Sequence, residues 1–117
     1  MNIFPGVDTG TCAASVRKFN KEAQKLENTV IIDVSMDLPF AHARFRGAEG
    51  LHDVISVGLF RTPEFGEKYG TRMLDGEWKG LMARSVVIIN EEGKVIYTQQ
   101  VPELDDEPDY KDALSAL

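Results

Sequence analysis

The stretch that decides the fold reads Asn2-Ile-Phe-Pro-Gly-Val-Asp-Thr-Gly-Thr-Cys-Ala-Ala-Ser-Val-Arg-Lys-Phe-Asn20. Its first residues have the pattern of a strand end, and a helical spacing of apolar residues begins after Cys12. The residues with this spacing are Val16, Phe19, Ala23 and Leu26. Side chains that can cap a helix come just before it: Asp8, Thr9 and Thr11. The stretch therefore predicts a strand end, a turn and a helix over 12–27, with a cysteine at the start of the helix.

Outward from this stretch, helices and strands alternate. The run 29–35 is β-branched and lacks polar alternation, which is typical of a strand buried on both faces. Further strands are predicted at 54–60, 85–90 and 94–101, and the last two form a hairpin through Gly93. Further helices are predicted at 39–47, capped by Asp37, at 64–69, and from Asp109 to Leu117. This order predicts an α/β sandwich with a mixed central sheet flanked by helices.

Composition narrows the class of protein. The chain has 117 residues, a net charge of −6 and 43% hydrophobic residues, which suits one domain over 1–117. No apolar run is long enough to span a membrane, and the acidic balance argues against nucleic-acid binding. A single cysteine and two separated histidines, His42 and His52, give no basis for a disulfide, a metal site or a bound cofactor. Both histidines are expected at the surface or at helix ends, and Phe40, Phe45 and Phe60 in the core. Without a visible signal sequence we expect a cytoplasmic protein, with the periplasm as the alternative.

The cysteine closes a Pro-x-x-x-Thr-x-x-Cys pattern, Pro5-Gly-Val-Asp-Thr9-Gly-Thr-Cys12. A thiolate in the first turn of a helix is stabilised by the helix dipole and by free backbone N–H groups, and the thiolate is the nucleophilic form. Thr9 can direct its hydroxyl at the sulfur or at a bound oxygen, while Pro5 can fix the turn and shield the sulfur. The alternative is that Cys12 is a small buried core residue. The turn and the helix start favour a reactive thiol.

This stretch resembles the active-site segment of bacterial thiol peroxidases, the Tpx branch of the peroxiredoxins. Similar stretches follow in the family's order: Asp37-Leu-Pro-Phe-Ala41, Arg44-Phe-Arg-Gly-Ala-Glu-Gly50, Leu81-Met-Ala-Arg-Ser-Val-Val87 and Glu107-Pro-Asp-Tyr110. The resemblance implies a thioredoxin-like (peroxiredoxin) sandwich that reduces hydrogen peroxide and organic hydroperoxides. Family members carry an N-terminal β-hairpin and a strand before the position of Asn2, so we expect an N-terminally truncated domain.

The resemblance also implies roles for individual residues. Cys12 matches the peroxidatic cysteine, whose thiolate attacks the peroxide and becomes a sulfenic acid. Thr9 matches the threonine that hydrogen-bonds the peroxide, and Pro5 matches the shielding proline. Arg84 matches the arginine that holds the thiolate, although the sequence alone favours a solvated charge at a strand end. The family further implies a homodimer.

One position departs from the family pattern. The cysteine that resolves the sulfenic acid in the family falls on Arg46, so no internal disulfide can form and an external thiol is required. A small thiol or a thioredoxin-like protein fits that need. Cys12-Ala-Ala-Ser15 also fits monothiol transferases, but Ala83-Arg84 stands where they carry a cis-proline. The alternative function is a truncated, non-catalytic thioredoxin-fold module for binding or redox sensing.

Overall fold

The computed structural model describes all 117 residues and contains five strands and four helices. In chain order these are β1 (Asn2–Ile3), α1 (Gly10–Ala23), β2 (Ile32–Ser35), α2 (Pro39–Glu49), β3 (Ile55–Gly58), α3 (Phe65–Lys68), β4 (Ser85–Ile89), β5 (Val95–Gln100) and α4 (Tyr110–Ser115). The predicted order of elements is confirmed. Most elements are shorter than predicted, but α2 continues past position 47 to Glu49, with Gly50 as its C-cap residue.

The strands form one mixed sheet in the order β3-β2-β1-β4-β5. Strands β1, β2 and β3 are parallel, whereas β4 runs antiparallel to β1 and β5 antiparallel to β4. Although β1 has only two residues, it lies at the centre of the sheet, and both of its side chains are buried. The first residues of the chain therefore form the middle of the fold.

Helices cover both faces of the sheet. Ile3 and Phe4 project to opposite faces, as consecutive side chains in extended backbone do. Phe4 joins the larger apolar cluster, to which α1, α2 and α4 contribute. Ile3 joins a smaller cluster with Val34, Leu59, Met82 and Val87, against which Phe65 of α3 packs. The rings of Phe19 on α1 and Tyr110 on α4 pack edge to face, with their centroids 5.1 Å apart, and this contact joins the two helices.

Several side chains differ in burial from what the sequence predicts. Phe45 is buried as predicted, but Phe40 and Phe60 are 80% and 55% exposed. Phe40 lies outside the buried stripe of α2, and Phe60 follows buried Leu59 in a turn, so both point outward. His42 is buried, contrary to the prediction, because its ring packs against Phe4 and hydrogen-bonds Ser35. None of the helices has the length and hydropathy needed to cross a membrane.

Candidate active site

The cysteine lies in the first turn of α1, and its side chain is wholly buried. The chain arrives there from the central strand through residues 4–9, which we call the β1–α1 loop. Thr9 occupies the N-cap position, but its hydroxyl donates to the Gly6 carbonyl at 3.3 Å rather than accepting from the helix. The predicted cap is therefore absent, because the Thr9 hydroxyl is used in a hydrogen bond within the turn. The backbone N–H groups in the first turn of α1, next to Cys12, therefore donate no hydrogen bond to the Thr9 side chain.

A second buried side chain reaches the sulfur from the start of β4. Arg84 is 1% exposed, and its Nη1 donates to the Sγ of Cys12 at 3.4 Å. Its Nη2 donates to the carbonyl of Leu104 at 2.8 Å, while its Nε has no partner. The guanidinium forms no ion pair with a carboxylate. A buried cation needs a nearby negative charge, and a Cys12 thiolate is the group in contact that can supply it.

An open depression of 280 Å³ lies over this part of the molecule. It is lined by Pro5, Gly6, Thr9, Glu77, Trp78 and Leu81. Cys12 is buried and does not line the depression. Trp78 is half-buried in this wall. Of the predicted site residues, the structure brings Cys12 and Arg84 into contact and places Thr9 and Pro5 at the depression.

Away from this depression, the structure contains no metal-binding cluster but does contain an apolar groove. No group of three or more His, Cys, Asp or Glu side chains is arranged to hold a metal. A separate apolar groove of 380 Å³ lies at the opposite end of the sheet, between the ends of α1 and β4. None of the predicted site residues lines that groove.

Buried polar side chains connect the sheet centre to the first turn of α1. The Asn2 amide donates to Asp33 at 2.8 Å and to the Ser15 hydroxyl at 3.2 Å. Ser15 in turn donates to the carbonyl of Cys12 at 2.8 Å. Burial raises the pKa of Asp33 to about 7, although the hydrogen bond from Asn2 opposes this shift. A titrating carboxyl is thus linked to the backbone of Cys12 through two side chains.

This raised pKa predicts a pH dependence of stability. Folded Asp33 keeps its proton up to about pH 7, whereas an unfolded aspartate releases it near pH 4. Between those values the unfolded chain binds fewer protons, so stability falls as pH rises. The folding equilibrium constant drops by up to about tenfold per pH unit. Denaturant unfolding at pH 5 and pH 8 is expected to show a smaller difference in Asp33→Asn than in the parent.

Asp75, which is exposed and forms no side-chain hydrogen bond, supplies the matched control Asp75→Asn. This control is expected to keep the parent's pH dependence. The same pH dependence in the parent and in Asp33→Asn would contradict the raised pKa of Asp33.

Comparison with known proteins places the chain in a family. The family model described as Redoxin matches residues 1–114. A curated thiol peroxidase of Corynebacterium glutamicum is 55% identical over all 117 residues, which cover 70% of its length. The chain belongs to the thiol peroxidases of the peroxiredoxin family. It is thus a member of a family of enzymes, and the resemblance noted in the sequence is confirmed.

Solved structures agree with this membership. The peroxiredoxin-like protein from Aquifex aeolicus superposes with a TM-score of 0.93 at 39% identity, over 97% of this chain and 66% of that one. A thiol peroxidase from Chromobacterium violaceum gives 0.85 at 18% identity, over 96% and 65%, and shares the fold. The predicted thioredoxin-like peroxiredoxin fold is confirmed. The chain spans just under two thirds of the length of these solved relatives.

Within this thiol peroxidase fold, Arg46 lies on α2 and is half-buried. Its Nε donates to the carbonyl of Leu51 at 3.2 Å, across the end of the helix. The sequence contains one cysteine, so the side chain at this position offers no thiol to Cys12.

Proposed function

We propose that this chain reduces hydrogen peroxide and organic hydroperoxides at Cys12, acting as one domain over residues 1–117. The observation that carries the proposal is the buried contact between Arg84 and the sulfur, 3.4 Å long and without a carboxylate partner for the cation. A core cysteine needs no such neighbour, and burying a guanidinium against a neutral thiol is unfavourable. The pair is favourable when the sulfur is a thiolate.

The first step is an attack of the Cys12 thiolate on one peroxide oxygen. The S–O bond forms as the O–O bond breaks, so the sulfur loses two electrons and the peroxide gains them. The leaving oxygen takes a proton from solvent and departs as an alcohol or as water, leaving a sulfenic acid. Arg84 holds the thiolate and stabilises charge that develops on the oxygens. Thr9, at the depression, hydrogen-bonds the peroxide.

The second step uses an external thiol. Its thiolate attacks the sulfenic sulfur, water leaves, and a mixed disulfide forms, which a second thiol reduces. Arg46 stands where two-cysteine relatives carry the resolving thiol, which supports this one-cysteine cycle. The reductant is a small thiol or a thioredoxin-like protein. Such a cycle fits a compartment rich in reduced thiols, such as the cytoplasm.

Access to the sulfur requires the β1–α1 loop to move, because the Cys12 side chain is wholly buried. Pro5 and Thr9 belong to this loop and line the depression. A small opening of this loop admits a peroxide, and Pro5 excludes bulk water from the reactive sulfur when the loop is closed.

We also propose that two copies of the chain associate. Leu38 and Phe40 at the start of α2 are exposed apolar side chains, as is Phe60 after β3, and Pro39 of α2 approaches the end of β3 at Gly58. An apolar surface of this kind is typical of an interface. Light scattering over a dilution series is expected to show a dimer, and monomer at every concentration would reject it.

Peroxide consumption in the presence of an added thiol tests the proposed function. The parent is expected to consume many equivalents of peroxide at a rate that rises with thiol concentration, whereas Cys12→Ser consumes none above background. A parent that matches Cys12→Ser would refute peroxidase activity. Oxidation of Cys12 without turnover would favour the redox-sensing alternative.

A further inference from the structure

A second buried polar cluster lies behind the β1–α1 loop. The Oδ2 of Asp37 accepts a hydrogen bond from the backbone N–H of Val7 at 2.9 Å and another from the Ser35 hydroxyl at 2.6 Å. The Oγ of Ser35 also lies 3.0 Å from the Nε2 of His42. Ser35 is 0% exposed and His42 is 3% exposed. Asp37, predicted as the cap of α2, thus faces the loop instead, and Leu38 is the N-cap residue.

The direction of these hydrogen bonds follows from the number of protons. A hydroxyl has one proton, and Ser35 uses it in the short bond to the Asp37 carboxylate. The Nε2 of His42 must therefore carry a hydrogen and donate it to Ser35. Burial lowers the pKa of His42, which favours the neutral ring at neutral pH, and the contact with Ser35 then places the single ring proton on Nε2. His42 thereby orients Ser35, and Ser35 orients Asp37.

The backbone of Asp37 has little room to move. A Cβ at position 58 would collide with the Asp37 carbonyl oxygen, so only glycine fits at this end of β3. On the loop side, a Cβ at Gly6 would lie 3.6 Å from an Asp37 carboxylate oxygen. The backbone of Asp37 thus lies against the end of β3, and its carboxylate lies beside Gly6 of the β1–α1 loop.

An ion pair holds the next residue of the β1–α1 loop, Asp8, to α2. The Nη2 of Arg44 on α2 donates to both carboxylate oxygens of Asp8, at 2.9 and 3.1 Å. Both partners are largely exposed, so this ion pair is weak. The hydrogen bond from Val7 to a more buried carboxylate contributes more. Asp37 is therefore the principal anchor of the loop on this side.

We propose that Asp37, oriented by Ser35 and His42, is a positioning residue that sets the β1–α1 loop over Cys12 for peroxide attack. This inference rests on the proposed peroxidase function. Val7 lies between Pro5 and Thr9, so holding its N–H fixes the two side chains that face the incoming peroxide. Arg84 approaches the sulfur from β4 and does not depend on this anchor. Loss of Asp37 therefore disturbs the placement of the peroxide and leaves the thiolate intact.

The test compares two reactions of Cys12 in Asp37→Ala. Oxidation by hydrogen peroxide needs an oriented substrate and is expected to slow about tenfold, the effect of losing one hydrogen bond to a charged group. Alkylation by iodoacetamide needs the thiolate and access but no oriented peroxide, so it is expected not to slow. Rapid-mixing and quench experiments with mass spectrometry give both rate constants.

Matched variants separate positioning from general destabilisation. Arg44→Ala removes the exposed ion pair with Asp8 in the same loop and is expected to change the rate of oxidation by peroxide less than about threefold. His42→Gln keeps an N–H donor for Ser35 and is expected to preserve the peroxide rate, whereas His42→Leu removes the donor and slows it. If Asp37→Ala does not fold, the pair of His42 variants decides the question.

The outcomes distinguish the inference from the function on which it rests. A parent that reacts with peroxide no faster than free cysteine refutes the proposed function itself. A fast parent with equal slowing of both reactions in Asp37→Ala, or an unchanged peroxide rate in that folded variant, overturns the positioning role alone. Equal peroxide rates in His42→Gln and His42→Leu also overturn it.

Discussion

Replacing Arg84 by alanine is expected to slow the oxidation of Cys12 by peroxide about a hundredfold. The guanidinium is buried and 3.4 Å from the sulfur, so its loss removes the positive group in hydrogen-bond contact with the thiolate. Alkylation by iodoacetamide is expected to slow as well, because the guanidinium no longer stabilises negative charge on the sulfur. This parallel loss distinguishes Arg84 from Asp37, whose removal is expected to affect only the reaction with peroxide.

Two further variants complete the Arg84 experiment. Arg84→Lys keeps a positive charge but loses the planar fork that contacts both the sulfur and the Leu104 carbonyl, so an intermediate rate is expected. Arg61→Ala removes an exposed arginine outside the site and is expected to leave the rate unchanged. A folded Arg84→Ala protein with the parent's rate would assign Arg84 to structure rather than to catalysis.

The second large effect concerns the recycling of Cys12 and follows from Arg46. Because the chain has no second cysteine, the oxidised parent is expected to contain no intramolecular disulfide. Excess peroxide is expected to convert it readily to the sulfinic acid. Arg46→Cys introduces the resolving thiol that the family resemblance implies at this position and is expected to form an internal disulfide and resist overoxidation. Mass spectrometry after graded additions of peroxide distinguishes the products.

The disulfide in Arg46→Cys requires local unfolding of α2, since the two Cα atoms must approach within about 7 Å. The last three residues of α2 follow Arg46 and are held to α1 by an exposed ion pair, in which Arg17 donates to Glu49 at 2.9 Å. Exposed pairs of this kind are weak, so the main cost of unwinding this end of α2 is the exposure of Phe45, which is buried in the core beside Arg46. Arg46→Ser is the matched control without a thiol. If Arg46→Cys overoxidises like this control, α2 is locked in its folded form.

The order of secondary-structure elements could be predicted from the sequence because local patterns decide it. The apolar spacing after Cys12 gives α1, and the β-branched run at 29–35 contains β2. The ends of the elements were less accurate, because tertiary contacts set them. Asp37 illustrates this point. Its residue type favours a helix cap, but its carboxylate instead accepts a hydrogen bond from the backbone N–H of Val7 in the β1–α1 loop.

The site was only partly predictable. The position of Cys12 at a helix start is a local feature, whereas its contact with Arg84 spans 72 residues and was expected only from the family resemblance. The cluster of Ser35, Asp37 and His42 was missed. One signal was present: Ser35 ends a strand predicted to be buried on both faces, and a buried hydroxyl needs a partner. The sequence could not identify His42 as that partner, because the pairing depends on how α2 packs.

The central claim is that the fold activates Cys12 toward peroxide, and one comparison tests it most directly. One equivalent of hydrogen peroxide is added to the folded protein and, separately, to the protein unfolded in urea. Mass spectrometry then follows the gain of one oxygen at Cys12 over time. The account predicts rapid formation of the sulfenic acid in the folded protein and a reaction as slow as that of free cysteine in the unfolded chain. Equal rates in the two states would contradict it.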